Sequence, residues 1–530
     1  MKTERKQSTN YIEKTLRIVE RILRFLCGAY VFAILAIMPL YFTDGYAKIG
    51  TNKYEFFEAV AGLGTIAFAV LLTLWIVLRV ILKKSWKPHI TWLDIAMACY
   101  GLCVGISYIF SAYKGQTPYG DVWNGANGWY MGAKTQLLFV GSYFVISRGL
   151  PHVKYKKLVV LSALPVSFTA FLLGFLNRFE VRPIEMKAAN PSFISTIGNM
   201  NWYCGYLVII LFTVVGYVWA TKNIPKWFMV PYLLVGFGTL VTQGSVSGLV
   251  VLAVLLFVLF LMSLPDVRDM RIFAILVILL GIATTATYVI RLVFPKAMSF
   301  TDTIIDLFTG SIFAVFIFVI GCMLYFLARG RDKSPLWMPL LAKVLEGVAI
   351  LCFAMYVVLL VTNTLHPGII GPLSENQLFT FDSDYGSNRG ATWMAAWGVF
   401  SEQTPLHKLF GVGPDGMAMY LYTDGSPELL AMVKEIFGKS TLTNAHCEML
   451  NVMVNLGIVG VLAFASVFVC VGMILYRELK KKETLDAVII ALCFGVLAYV
   501  INNIFSFQQA MNGATIYVVL GFLGAKLRER

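Results

Sequence analysis

Arg389, the turn Gly411–Gly416 and His446 are the residues of this 530-residue chain whose types and spacing could do chemistry. A guanidinium suits bidentate contact with phosphate. An imidazole can accept a proton from a hydroxyl near neutral pH, as activation of an alcohol requires. The residues fall in one stretch that reads R-G-A-T-W-M-A-A-W, then G-V-G-P-D-G, then N-A-H-C-E and G-I-V-G. Glu448 stands two residues past the histidine, placed to orient it or to compete for its role, and Asn444 stands two before it. The structural alternative for His446 is a histidine that helps to start a helix; for Arg389 it is an ion pair with Asp382 or Asp384. Asp382-x-Asp384 also has the spacing of a metal-binding D-x-D. G-V-G-P-D-G follows no strand and lacks the lysine and hydroxyl of a P-loop, so it reads as a turn and not as a nucleotide site.

The elements that must position these residues are membrane helices. The chain is 58% hydrophobic and 14% charged, with a mean hydropathy of +0.75, whereas soluble domains carry roughly a quarter charged residues. Apolar runs near 22–42, 57–82, 91–112, 134–149, 158–177, 200–221, 227–241, 249–263, 272–290, 304–328, 340–361, 452–475, 485–503 and 513–527 predict an all-α polytopic membrane protein. The expectation is 12 to 14 transmembrane helices, and the shortest runs suit tilted, broken or re-entrant pieces. The formal charge of +14 raises nucleic acid as a partner, but its distribution excludes that reading. Most Lys and Arg fall in clusters at alternate loops, from Lys2–Arg24 through Arg79–Lys87, Arg148–Lys157 and Arg329–Lys343 to Arg477–Lys482 and Lys526–Arg530. By the positive-inside rule both termini are cytoplasmic, and the first run reads as an anchor, not a cleaved signal. The nine cysteines form no disulfide pattern.

The bundle is then expected over 1–361, with a large extracytoplasmic loop over 362–451 and three last spans over 452–530. The loop carries two expected helices, near 390–402 and 427–437, between Pro367, Pro372, Pro405, Pro414 and Pro427. Its apolar content suits a lid folded on the bundle or lying at the lipid interface. Two further outer segments are distinctive. Residues 113–133 hold Trp123, Trp129 and Tyr130 among Gly and Asn, either as belt aromatics or as a sugar-stacking platform. Residues 178–201 hold Arg178, Arg182, Lys187, Asn199 and Asn201.

In order and spacing, R-G-A-T-W-M-A-A-W, P-L-H-K-L-F-G-V-G-P-D-G-M and N-A-H-C-E-M-L-N-V-M-V-N-L-G-I-V-G-V resemble the O-antigen ligase and polymerase superfamily; G-N-M-N-W at 198–202 resembles its G-N-x-N segment. The resemblance is carried by the second half of the chain. It implies an inverting, metal-independent glycosyltransferase of the GT-C type in the bacterial plasma membrane, needing no cofactor. The implied donor is a glycan on undecaprenyl diphosphate, and the implied acceptor a hydroxyl of a glycan, lipid or wall polymer at the outer face. His446 matches the family's essential histidine and Arg389 its loop arginine; Trp393, Asn444 and Glu448 fall beside them as candidate substrate contacts. The chain departs from the pattern at Val246, where T-x-S-R-x-G would carry a second arginine, and at Cys447, where asparagine is common. Arg178, Arg182, Arg291 or Lys134 are the cations available to replace the missing arginine. A repeat-unit polymerase is the close alternative to a ligase, and a lipid-linked oligosaccharide flippase the more distant one.

Overall fold

The computed structural model describes residues 2–84, 89–223, 225–296, 298, 303–331, 334–335, 337–481 and 485–529. Lys87, Lys333, Lys482 and Arg530 of the basic clusters lie outside the described residues. The fold is almost wholly helical. In chain order the helices are α1 (Lys2–Phe32), α2 (Ile49–Ile81), α3 (Trp92–Phe110), α4 (Ala133–Gly149), α5 (Lys156–Leu161), α6 (Ala163–Arg178), α7 (Met200–Ala220), α8 (Met229–Thr242), α9 (Val246–Ser263) and α10 (Val267–Val293). They continue as α11 (Thr303–Thr309), α12 (Phe313–Ala328), α13 (Trp337–Leu365), α14 (Tyr385–Glu402), α15 (Pro405–Phe410), α16 (Met417–Thr423), α17 (Pro427–Phe437), α18 (Glu448–Leu479), α19 (Ala487–Asn502) and α20 (Ala510–Arg528). Two minimal hairpins, Gly120–Asp121 with Gly125–Ala126 and Phe193–Ile194 with Gly198–Asn199, sit in the two distinctive loop segments.

Each of the 14 apolar runs falls on helix. Ten helices or joined helical runs among the described residues are long and apolar enough to cross a membrane, and α8, α12 and α19 are shorter apolar helices. The run at 304–328 is interrupted: α11 stops at Thr309 and α12 begins at Phe313, with Gly310 and Ser311 between them. The first run ends in a π-turn over Ala33–Ile37 and a 3-10 turn over Met38–Leu40, where Pro39 stops the α-helix. The carbonyls exposed by that stop are not left bare. Lys53 Nζ donates to Met38 O at 2.6 Å and Pro39 O at 2.9 Å, and Thr196 Oγ1 donates to Pro39 O at 2.8 Å. A buried backbone group without water must find such a partner.

The main core is formed where α7 packs along α19, α4 along α20, α3 along α18 and α10 along α12. A second, smaller core lies over one end. It joins Tyr113 and Val122 to Ala395, Val399, Val412, Met417, Leu429, Val433 and Val454, so segment 362–451 folds back as a packed cap instead of running free. The cap contains the two expected helices, as α14 and α17, and also α15 and α16, which are only six and seven residues long and carry too little periodicity to be recognised. Its entry is pinned by α13: Asn363 Nδ2 donates to Phe379 O at 3.0 Å, and the Tyr356 and Tyr385 hydroxyls meet at 2.7 Å.

Candidate active site

His446 sits on the short turn before α18 with φ of 47°, a left-handed conformation that a non-glycine residue adopts only when its surroundings hold it. Three contacts do so. Its own N–H donates to Asn444 Oδ1 at 3.2 Å, the preceding carbonyl of Ala445 accepts from Thr392 Oγ1 of α14 at 2.9 Å, and the Glu448 N–H donates to Asn503 O at 2.9 Å. The imidazole meets the Phe507 ring edge-on at 5.2 Å. Burial, and then the charge of Arg389, push its pKa down to about 4, so the ring is neutral at pH 7 and keeps a lone pair to accept a proton.

Arg389 lies one turn into α14, half-buried. Its Nε donates to Phe505 O at 2.8 Å and one Nη to Gly386 O at 2.9 Å, with the guanidinium carbon 6.0 Å from the Phe505 ring. It makes no ion pair among the described residues. Neither aspartate pairs with it: Asp382 accepts from the N–H groups of Asp384 and Tyr385 at the start of α14, and the Asp384 side chain makes no capping hydrogen bond there. Arg389 is therefore a cation held by carbonyl dipoles and rings, not neutralised by a carboxylate.

Both residues rest on the linker between α19 and α20, residues 503–509, a segment that falls between the last two apolar runs and carries no motif singled out in the sequence. Phe505 holds Arg389, Phe507 faces His446, and the Gln508 N–H donates to Glu448. The available signal was compositional: N-N-I-F-S-F-Q-Q places four carboxamides between two apolar spans. Rings extend the site sideways. Trp129 packs edge-on against Phe507 at 5.0 Å and against Trp202 at 6.0 Å, bringing segments 113–133 and 198–202 to the same place. Trp393 is sandwiched between Phe381 and Phe505, at 6.1 and 6.2 Å. It packs the site, and Trp397 is the more exposed of the pair. Tyr130 stacks on Tyr54 at 4.4 Å, whereas Trp123 is the exposed aromatic of its loop.

The other candidates are distributed less simply. Asn444 is buried and shapes the histidine turn, with its Nδ2 on Thr443 Oγ1 at 3.0 Å. Glu448 faces inward, bound to Gln508 N and lining an internal cavity, so it makes no hydrogen bond to His446. Arg178 is fully buried and donates to the carbonyls of Pro191 and Gln243. It thus reaches the break before Val246, but as a clamp between chain segments. Arg291 pairs with Asp306 at 2.8 Å, between α10 and α11, and Lys134 pairs with Glu58 at 2.7 Å. Arg182 lies beside Tyr46 with no ion pair among the described residues. Tyr46 packs on Phe193 at 5.4 Å and Phe193 on Trp202 at 6.5 Å, so Arg182 stands at the far end of the ring row that begins at His446.

The glycine-rich turn is the joint between cap and bundle. α18 is broken at Gly457, where φ is 71°, and the carbonyls released by the break find donors. Val454 O accepts from Val412 N at 3.2 Å and Gln403 Nε2 at 3.0 Å; Asn455 O accepts from Gly413 N at 3.1 Å and Ser107 Oγ at 2.7 Å. A Cβ on Gly457 would collide with the backbone of Leu409 and one on Gly411 with that of Asn455, which explains both glycines. Asp415, the one acid in the turn, accepts from Ala126 N at 2.7 Å and Met131 N at 3.2 Å, and burial pushes its pKa up to about 7.

No family model matches the chain, and no curated protein matches it. The functional reading therefore rests on the residues and their arrangement.

Proposed function

We propose that the protein is a membrane glycosyltransferase that passes a glycan from a polyprenyl diphosphate carrier to an acceptor hydroxyl, at the end of the bundle covered by the cap. The observation that carries this reading is the meeting of Arg389 and His446, 57 positions apart in sequence, on the single strip Phe505–Phe507. A cation without a carboxylate partner beside a neutral imidazole suits a reaction in which an anionic diphosphate leaves and a hydroxyl attacks.

Each residue then has a distinct part. Arg389 binds the diphosphate and stabilises the charge that develops as it departs; Arg182, at the far end of the ring row, stands too far away to share it. His446 accepts the acceptor's proton, or holds the hydroxyl in line with the anomeric carbon. A pKa of about 4 is low for a general base and is set first by burial; a diphosphate beside the ring offsets only the second cause, the Arg389 charge, and so raises the imidazole basicity in part. Trp129 and Trp202 offer ring faces and edges of the kind that pack against sugars. The ligase-like reading is preferred to a repeat-unit polymerase because one large cap precedes the histidine.

The test is transfer by the purified protein from undecaprenyl-diphosphate glycan to candidate acceptors, with His446→Ala and Arg389→Ala alongside. Loss of product in both, with donor binding weakened chiefly by Arg389→Ala, is expected. Full activity in His446→Ala would remove the histidine from the mechanism, and carrier movement across vesicles without transfer would replace the enzyme by a flippase.

A further inference from the structure

Against the Phe507 ring lies a small cavity of about 20 Å³. A void of that size admits one water-sized particle. Asp415 and Glu448 both line it, together with Gln136, Asn451, Asn455 and Gln508. The two acids arrive from different elements, Asp415 from the glycine-rich turn of the cap and Glu448 from the first residue of α18. They are 4% and 5% exposed, and no lysine, arginine or histidine lines the cavity or pairs with either among the described residues. Two carboxylates share one small buried space without a basic side chain.

The remaining polar atoms are acceptor-rich and incompletely used. Asn451 Oδ1 is buried without a hydrogen-bond partner. Gln508 is 3% exposed; its Nε2 donates to Tyr499 and its backbone N–H to Glu448, while its side-chain oxygen has no partner among the described residues. Asp415 Oδ2 takes two backbone N–H groups and Glu448 Oε2 takes one, leaving the second oxygen of each carboxylate unbonded. Asn455, also 3% exposed, spends its Oδ1 on Met417 N and leaves its Nδ2 without a partner. A surplus of hard oxygen ligands around two buried carboxyl groups suits an alkali or alkaline-earth cation and not a thiophilic metal.

We propose that this cavity is a binding site for one small monovalent cation of the Na⁺ class, held between Asp415 and Glu448 with carboxamide oxygen from Asn451 and Gln508. The cation supplies the positive charge that the protein omits there. It also joins two parts that must be in register: the cap turn, through Asp415, and the helix that begins just after His446, through Glu448. Its role is positional, and it stands whether or not the transferase reading does. A divalent ion fits less well, because Ca²⁺ takes roughly six to eight oxygens and the lining offers only one free oxygen each from Asp415, Glu448, Asn451 and Gln508, while Mg²⁺ keeps several waters for which the cavity has no room.

The experiment uses the full chain purified in detergent in choline chloride at pH 8, titrated with NaCl at constant ionic strength. Binding of ²²Na⁺ at about one site per chain, with a saturable rise in the thermal unfolding midpoint, is expected. K⁺ should act more weakly. Asp415→Asn and Glu448→Gln should each lower Na⁺ affinity at least tenfold; Asn451→Leu, which keeps both carboxylates, provides a milder third variant should either fail to fold. Wild-type protein that binds no ²²Na⁺ and unfolds identically in choline and Na⁺ would overturn the site, with protons as the occupants if raising the pH then destabilises it. Undiminished Na⁺ binding in both carboxylate variants would overturn its location. Saturation by Ca²⁺ but not Na⁺ would overturn the cation class.

Discussion

At one end of the bundle Asp94 is enclosed on every side. Its oxygens accept from Thr91 N at 2.7 Å, Thr91 Oγ1 at 2.9 Å and Tyr143 at 2.8 Å, and it pairs with Arg148 at 3.3 Å and with Arg528. Lys156 with Glu529, Lys526 with Asp486 and Lys84 with Glu13 neutralise the same end. At the other end Arg389 has carbonyls and a ring but no carboxylate, His446 is neutral in a left-handed turn, and Asp415 and Glu448 have no cation. Equal investments in polar residues thus have opposite outcomes. Where charges are mutually satisfied they fix the helix ends, and where they are left incomplete they mark the candidate site.

The comparison is sharpened most by His446→Ala. It should lower transfer by about 10²–10⁴-fold, the range of a lost general base, while unfolding in detergent shifts by less than about 1 kcal/mol. Asp94→Ala should do the reverse. Stranding Arg148 and Arg528 should cost about 3–5 kcal/mol of stability, and the surviving folded fraction should transfer at near the wild-type rate. Equal loss of activity and stability in both variants would break the distinction between the two ends.

Smaller effects follow from the joint. Gly457→Ala should destabilise by about 1–3 kcal/mol, because φ of 71° is unfavourable for alanine and Leu409 blocks the Cβ. Thr392→Val removes the hydroxyl that steadies the histidine turn; it should cost about 1 kcal/mol and a few-fold in rate, visible in kcat more than in KM.

Acidification gives the most specific test. His446 has a folded pKa of about 4, below its ordinary 6.5, so the unfolded chain binds its proton first. The neutral ring's contribution to stability is present above pH 6.5 and is lost as pH falls towards 4. Titrating unfolding across that window in wild type and His446→Gln should show this loss in the former and a flatter profile in the latter.

Much of the architecture was legible in the chain. The 14 apolar runs fall on helix because about 20 apolar residues in lipid have few alternatives to satisfying their backbone internally. The basic segments around Arg148–Lys157 and Lys526–Arg528 meet at one end of the bundle, through Lys156 with Glu529 and Arg528 with the Ser147 carbonyl. Arg389 and His446 stood out by type and motif. Their shared platform did not, because Phe505 contributes a backbone carbonyl, which any residue carries, and the ring of Phe507 is one aromatic among many near span ends.

Local chemistry and tertiary structure thus decided different things. Hydropathy and glycine placement act over a few residues, so the sequence by itself determined the helices, the turn at Gly411–Gly416 and the residues able to do chemistry. Which cation stays free was decided only by packing. Arg178, Arg291 and Lys134 were equal candidates with Arg182 until the fold buried the first against two carbonyls and gave Asp306 and Glu58 to the others. The same holds for Glu448: two residues from His446 in the chain, it points into the bundle because α18 begins between them and turns its side chain towards Asp415. Partnership is a long-range property, set by elements hundreds of residues apart, and no local pattern encodes it.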